Sequence, residues 1–153
     1  MKIIYKKAKL SDIKSMQTLV APEVESGKIL FRSEGDISTN IRSYILAFNN
    51  QELIGFGALH IYSPTLAEVR SLIVKKSHRG KGVGKEIVKH IKQEAKDLGI
   101  KKIFTLTYEK YFFESLDFIE IPKSDLPEQK IWADCIKCKH FPICNEIALI
   151  IEL

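Results

Sequence analysis

The stretch Leu72-Ile73-Val74-Lys75-Lys76-Ser77-His78-Arg79-Gly80-Lys81-Gly82-Val83-Gly84-Lys85-Glu86-Ile87-Val88 decides the fold of this chain. Its unbroken apolar start predicts a strand covered on both faces. From Gly82 the apolar positions switch to helical spacing at Val83, Ile87, Val88, Ile91, Ala95 and Leu98, with Gly99 as a left-handed terminator. Between strand and helix, glycines at 80, 82 and 84 let backbone N–H groups approach an anion, and the helix start adds roughly half a positive charge. Lys75, Lys76, Arg79, Lys81 and Lys85 make this the local maximum of positive charge, which suits a compact polyanion such as a nucleotide diphosphate. A tight connection with a solvated helix start is the plainer reading. No Gly-Lys-Ser/Thr follows the first glycine at P-loop spacing, and no ribose-binding acid stands at the dinucleotide-fold distance, so kinase and dehydrogenase readings fall.

Working outward, residues 67–75 belong to the strand that feeds this turn, and residues 53–62 form another, whose Gly55 and Gly57 suit a bulge or a close backbone approach. Residues 3–8 and 44–48 read as strands, with Asn49-Asn50 turning the second. Ser11-Asp12 caps a helix with Ile13, Met16, Leu19 and Val20 on one face, ending before Gly27, and a second short helix covers residues 36–43. After Gly99 come a buried strand at 103–107, a short helix at 111–116, a strand at 118–121 and a closing strand at 148–153. The predicted order is βααβββαβαββ, in one α/β (α+β) domain over residues 1–153.

At 153 residues and 45% apolar content, the chain is long enough to bury a core without disulfides or a metal. The first residues are too short and too charged for a signal peptide, and no apolar run has membrane-spanning length, so a soluble cytoplasmic protein is expected. A net charge of +5, spread along the chain, gives no support to nucleic-acid binding.

The run Arg79-Gly80-Lys81-Gly82-Val83-Gly84 resembles the coenzyme A signature of the GNAT superfamily of N-acetyltransferases, and the strand order is similar over essentially the whole chain. The resemblance implies a mixed, mostly antiparallel central sheet flanked by helices, with acetyl-CoA as co-substrate. Tyr111-Phe112-Phe113-Glu114-Ser115-Leu116-Asp117-Phe118 is similar to the family's aromatic segment after the fifth strand, with Asp117 in place of the usual glycine. Phe113 stands where many members carry the tyrosine that protonates the leaving thiolate; of the nearby phenols, Tyr108 and Tyr111, Tyr111 is taken as the acid.

Four segments, at 27–34, 57–74, 101–118 and 126–135, look like the acetyltransferase domain of the N-acetylglutamate synthase family in a short, stand-alone form. That likeness implies transfer of acetyl to the α-amino group of L-glutamate, the opening step of arginine biosynthesis. It implies that Arg32 pairs with a substrate carboxylate, which the planar guanidinium fork suits. Lys137, with Lys130 as the alternative, matches the region of a further basic contact. Glu68 matches the base that acts through water on the acceptor ammonium, Ser71 the residue whose backbone faces the amine, and Thr107 a hydroxyl that orients it. The expected mechanism is direct attack in a ternary complex, with the pantetheine arm along Leu72 and Val74 and the thioester oxygen held by a main-chain N–H near Leu72 or Ile73. The diphosphate would sit on Arg79, Gly80, Lys81, Gly82, Val83, Gly84 and Lys85. The partner implied is a small-molecule amine, with homodimers as a further analogy and with neither nucleic acid nor membrane.

Residues 122–145 are long for a plain connection and hold every cysteine: Cys135, Cys138 and Cys144, with His140 among them. Three thiolates and an imidazole would supply four zinc ligands, though the spacing is not a standard one. Reduced, partly buried thiols stiffening a loop beside the substrate are the rival reading. Two further functions stay open on the sequence: a GNAT enzyme for another amine (a protein N-terminus, a polyamine or an aminoglycoside), and a non-catalytic acyl-CoA or metal-binding module. A polyamine site would want acidic acceptor loops, whereas Arg32 and the lysines near 137 favour an anionic acceptor.

Overall fold

The computed structural model describes residues 2–128, 130, 134 and 145–153. The predicted element order is the one observed: β1 (Ile3–Lys7), α1 (Ile13–Glu25), α2 (Glu34–Thr39), β2 (Tyr44–Asn49), β3 (Glu52–Ile61), β4 (Leu66–Val74), α3 (Val83–Leu98), β5 (Lys102–Thr107), α4 (Lys110–Glu114), β6 (Ile119–Ile121) and β7 (Ile147–Glu152). These strands form a seven-stranded sheet in the order β1-β2-β3-β4-β5-β7-β6. Only β4 and β5 run parallel; every other neighbouring pair is antiparallel.

Alternation along β2 shows why helices cover both faces. Ile45 and Ala47 join the cluster under α3, with Ile87, Val88 and Ile91, while Tyr44 and Leu46 join the opposite one, with Ile13 and Met16 of α1 and Ile37 of α2. On α3 the apolar face is Val83, Ile87, Val88, Ile91 and Ala95; Leu98, expected there too, is 58% exposed at the end of the last turn. Gly99 closes the helix at φ +87°, its N–H reaching the Ala95 and Lys96 carbonyls.

Two sequence expectations shift at helix starts. α2 begins at Glu34 rather than 36, because the Ser33 hydroxyl accepts from the Asp36 N–H at 3.1 Å and caps it, and it ends by Thr39, with a 3-10 turn over Ile41–Ser43 leading into β2. Ahead of α1 lies a 3-10 turn, Leu10–Asp12, in which the Asp12 carboxylate accepts from the Lys9 N–H at 2.8 Å.

The glycines of β3 have the close contacts that their strand position suggested. A Cβ on Gly55 would lie 2.9 Å from the Ile73 carbonyl oxygen, and one on Gly57 would lie 3.0 Å from Ile87 and 3.1 Å from Leu72. The β3–β4 register slips between Phe56 and Ala58, which pair with Ile73 and Arg70, so Gly57 faces two residues of β4. That bulge places Ser71 at φ +58°, an uncommon conformation for a residue other than glycine. At Asp117 the backbone takes φ +73°, which accounts for the glycine common at this position in the resembled family and for the tolerance of a short polar residue there.

Candidate active site

The site originates in the one parallel pairing. β4 and β5 are in register only from Leu66–Lys102 to Glu68–Phe104. At Val69 the ladder stops: its carbonyl accepts instead from the buried Thr105 hydroxyl at 3.0 Å, and the strands part beyond it. A cavity of about 460 Å³ opens there, within the range of small-molecule sites. Its walls include Leu72, Ile73 and Val74 of β4, Thr107 of β5, and Tyr108, Phe112 and Phe113 just beyond it.

One end of this cavity is the glycine-rich turn. Gly80 and Gly82 take φ of +75° and +84°, and space around both is open enough that a Cβ would meet nothing within 4 Å. Gly82 precedes α3 with no side-chain cap, so the helix's first N–H groups are left for solvent or a ligand. Gly80, Gly82, Val83, Gly84 and Lys85 line the cavity; Lys81 is exposed and does not. Arg79 donates from Nε to the Val74 carbonyl at 2.8 Å and from Nη2 to Glu23 of α1 at 3.2 Å, reaching from the turn to the other wall of the cavity.

At the other end lies a buried ionic cluster. Lys130 Nζ donates to Glu68 Oε2 at 2.7 Å and to Asp134 Oδ2 at 3.1 Å. Arg32 Nη1 donates to Asp134 Oδ1 at 2.7 Å, Arg70 Nη1 lies 3.3 Å from Asp134 Oδ2, and the Tyr62 hydroxyl donates to Glu68 Oε1 at 2.8 Å. None of the five charged side chains is more than 15% exposed. Among the described residues, three cations face two carboxylates, so these five groups together carry one positive charge in excess. The guanidinium Nε atoms of Arg32 and Arg70 are buried without a hydrogen-bond partner among the described residues.

The titration of these groups follows from their mutual contacts. Burial works against the charge of Arg32 and Lys130, and the Asp134 and Glu68 carboxylates outweigh it, so both cations hold their protons above the ordinary values. Burial opposes ionisation of Asp134, yet the Arg32 hydrogen bond and the charges of Lys130, Arg32 and Arg70 bring its carboxyl well below the usual range. Burial, and then Glu68, push the Tyr62 phenol far up. His60, edge-on to Tyr62 at 4.8 Å between ring centroids, falls to about 4, first through burial and then through the Arg70 charge.

Measured against the expected site, Arg32, Glu68, Ser71, Thr107 and Lys130 all line this one cavity. Glu68 is 1% exposed and ion-paired, which excludes the reading of an ordinary surface glutamate. Lys130 is bonded to two carboxylates rather than left open for a substrate carboxylate. Tyr111, expected as the acid, is 83% exposed and lies outside the cavity lining, because the single-turn α4 turns Phe112 and Phe113 inward instead. Tyr108 is the phenol that lines the cavity. Lys137, Cys135, Cys138, Cys144 and His140 lie outside the described residues. Among the described residues, no group of three or more His, Cys, Asp or Glu could hold a metal, and no helix is long and apolar enough to cross a membrane.

Arg70 and Asp134 are absent from the expected site. Glu68 and Arg70 stand two apart on one strand, and Lys130 and Asp134 four apart, so both spacings were legible as same-face pairs. A second cavity of about 360 Å³, walled by Met16, Val20, Val24 and Phe56, meets the first at Ile29, Leu30, Arg32 and Ser71.

A sheet opened between two parallel strands, with an uncapped helix start at one end of the gap and a buried charged chamber at the other, defines a transferase of the acyl-carrier class. The chain belongs to the acetyltransferase (GNAT) family, whose model matches residues 11–120. It is 34% identical over 143 residues to an uncharacterized N-acetyltransferase of Chlorobaculum tepidum, covering 94% of this chain and 92% of that one. An amino-acid acetyltransferase of Mycobacterium tuberculosis is 30% identical over 122 residues, covering 77% of this chain and 69% of the relative. In fold, the chain is similar to N-acetylglutamate synthase from Neisseria gonorrhoeae complexed with coenzyme A and N-acetyl-glutamate, with a TM-score of 0.88 and 22% identity. All of this chain is covered in that match, and it spans 35% of the Neisseria chain.

Proposed function

We propose that this chain transfers acetyl from acetyl-CoA to the α-amino group of L-glutamate. The observation that carries the acceptor assignment is the single positive charge in excess in the buried cluster of Arg32, Arg70, Lys130, Glu68 and Asp134. Glutamate carries one net negative charge at neutral pH, and a buried charge is stable only when matched. A polyamine would add positive charge to a chamber that already holds an excess. The coenzyme A and N-acetyl-glutamate bound by the Neisseria structure support the same reading.

Backbone N–H groups from Gly80 to Lys85 would hold the diphosphate, with the start of α3 supplying a favourable field. Beyond Val69 no strand among the described residues covers the edge of β4 that faces β5, which leaves room for the pantetheine arm along Leu72–Val74. Main-chain N–H groups near Leu72 and Ile73 would take the charge that builds on the thioester oxygen. Ser71, turned by the bulge, presents its backbone to the amine, and Thr107, whose oxygen already accepts from the Glu109 N–H at 2.9 Å, keeps its O–H to donate. Glu68 takes the ammonium proton through water, since only the neutral amine attacks. Tyr108 replaces Tyr111 as the acid for the departing thiolate, because it lines the cavity.

An acetyl-CoA thiol-release assay with glutamate, aspartate, glutamine and spermidine side by side tests this reading. The highest kcat/KM is expected with glutamate. Turnover of spermidine without turnover of glutamate would overturn the acceptor assignment.

A further inference from the structure

Two guanidinium groups on one buried carboxylate are more than the fold requires. Asp134 accepts from Arg32 on Oδ1 at 2.7 Å and faces Arg70 on Oδ2 at 3.3 Å, so each oxygen has its own arginine. Arg32 comes from the segment ahead of α2 and Arg70 from β4, two parts of the chain that the carboxylate draws together against their repulsion. Lys130 is shared between Glu68 at 2.7 Å and Asp134 at 3.1 Å, so with Lys130 balancing Glu68 one arginine is enough to balance Asp134, and the second adds charge that these carboxylates do not call for. Neither arginine is part of the apolar clusters that hold the sheet. The Arg70 side chain is 9% exposed, lines the cavity, and keeps a buried Nε–H with no partner among the described residues. A buried, unpaired donor on a charged group is costly, and such groups in native proteins call for an explanation.

We propose that Arg70 is a second acceptor-recognising residue beside Arg32, and that Asp134 is a positioning residue holding both guanidinium groups toward the side-chain carboxylate of the acceptor. Asp134 takes one N–H from each arginine, and a guanidinium offers five in a fixed fork, so donors remain for a ligand carboxylate. The arrangement selects an acceptor by charge: a carboxylate at the end of its side chain is matched, and the neutral amide of the same shape leaves the donors half-used. This inference rests on the acceptor reading above and gives that reading its discriminating residue.

The test compares kcat/KM for glutamate and glutamine at saturating acetyl-CoA in the full chain and in Arg70→Gln, Arg70→Lys and Asp134→Asn. Loss of a charge-assisted hydrogen bond predicts that Arg70→Gln lowers kcat/KM for glutamate by about 10- to 100-fold, mostly through KM, and lowers that for glutamine far less. Arg70→Lys keeps the charge and loses the fork, so an intermediate loss for glutamate is expected, and this variant decides the matter if Arg70→Gln does not fold. Asp134→Asn should raise KM for glutamate more than it lowers kcat. Calorimetric titration of each variant with coenzyme A should give the wild-type affinity. Equal losses for glutamate and glutamine, or no loss for either, would overturn the assignment of Arg70. A wild-type protein that binds coenzyme A and turns over neither amino acid would overturn the acceptor reading, and the inference with it.

Discussion

Replacing Lys130 with Met puts the buried ionic cluster to a quantitative test. The ammonium bridges Glu68 at 2.7 Å and Asp134 at 3.1 Å, and the three side chains are 9%, 1% and 6% exposed. Methionine matches the length of the lysine stem and removes the charge, so Glu68 loses its only cationic partner among the described residues while remaining buried. Breaking a buried pair from one side costs about 3–5 kcal/mol, because the remaining charge has no compensation. In a domain of this size each kcal/mol moves Tm by about 2–4 °C, so a fall of about 6–20 °C is expected at neutral pH. Adding Glu68→Gln removes the stranded charge and should recover more than half of the loss, which a simple packing defect at position 130 would not do. Thermal unfolding followed by circular dichroism reads both variants. A shift of under about 2 °C for Lys130→Met, or no recovery in the double variant, would refute the claim that these groups are ionised and mutually dependent.

Other consequences are open to direct measurement. Glu68→Gln should lower turnover most at the acid end of the pH profile, where few acceptor amines are already neutral, and leave coenzyme A affinity intact; a uniform loss across pH would remove Glu68 from proton transfer. Gly82→Ala should cost only about 1–2 kcal/mol, from its φ of +84° with open space around it, whereas Gly55→Ala should cost more, since its Cβ would lie 2.9 Å from the Ile73 carbonyl; the reverse order in denaturant unfolding would contradict the packing described. His60 stays neutral in the fold down to about pH 4, while the unfolded chain binds that proton near its ordinary value of 6.5. Its contribution is therefore fully present above pH 6.5 and is lost as the pH falls from 6.5 toward 4, and His60→Gln should flatten stability across that window; an unchanged slope would show that His60 is not the group responsible.

The turn-and-helix unit was legible because its signals are local. Glycines at the strand exit, the apolar period of α3 and the stop at Gly99 each act within a few residues, and Gly55 and Gly57 mark in the sequence the crowding found under α3. The ionic cluster was legible only in part. Arg32 and Lys130 were found through resemblance, whereas Arg70 and Asp134 meet across 64 positions, a pairing that no local pattern specifies. The exposure of Tyr111 is a matter of helix phase: in the run Tyr111-Phe112-Phe113 a single turn cannot direct three consecutive rings into the core, and the two phenylalanines take it. The start of α2 was missed for a similar reason, since Ser33 was read as part of an acceptor segment when it is also the cap.

The most direct test of the account is a crystal structure of this chain with coenzyme A and L-glutamate bound. The diphosphate is expected on the backbone of residues 80–85, the pantetheine arm in the gap between β4 and β5, and the glutamate side-chain carboxylate within hydrogen-bond distance of Arg32 and Arg70. Coenzyme A bound elsewhere, or a glutamate whose carboxylate touches neither arginine, would contradict it.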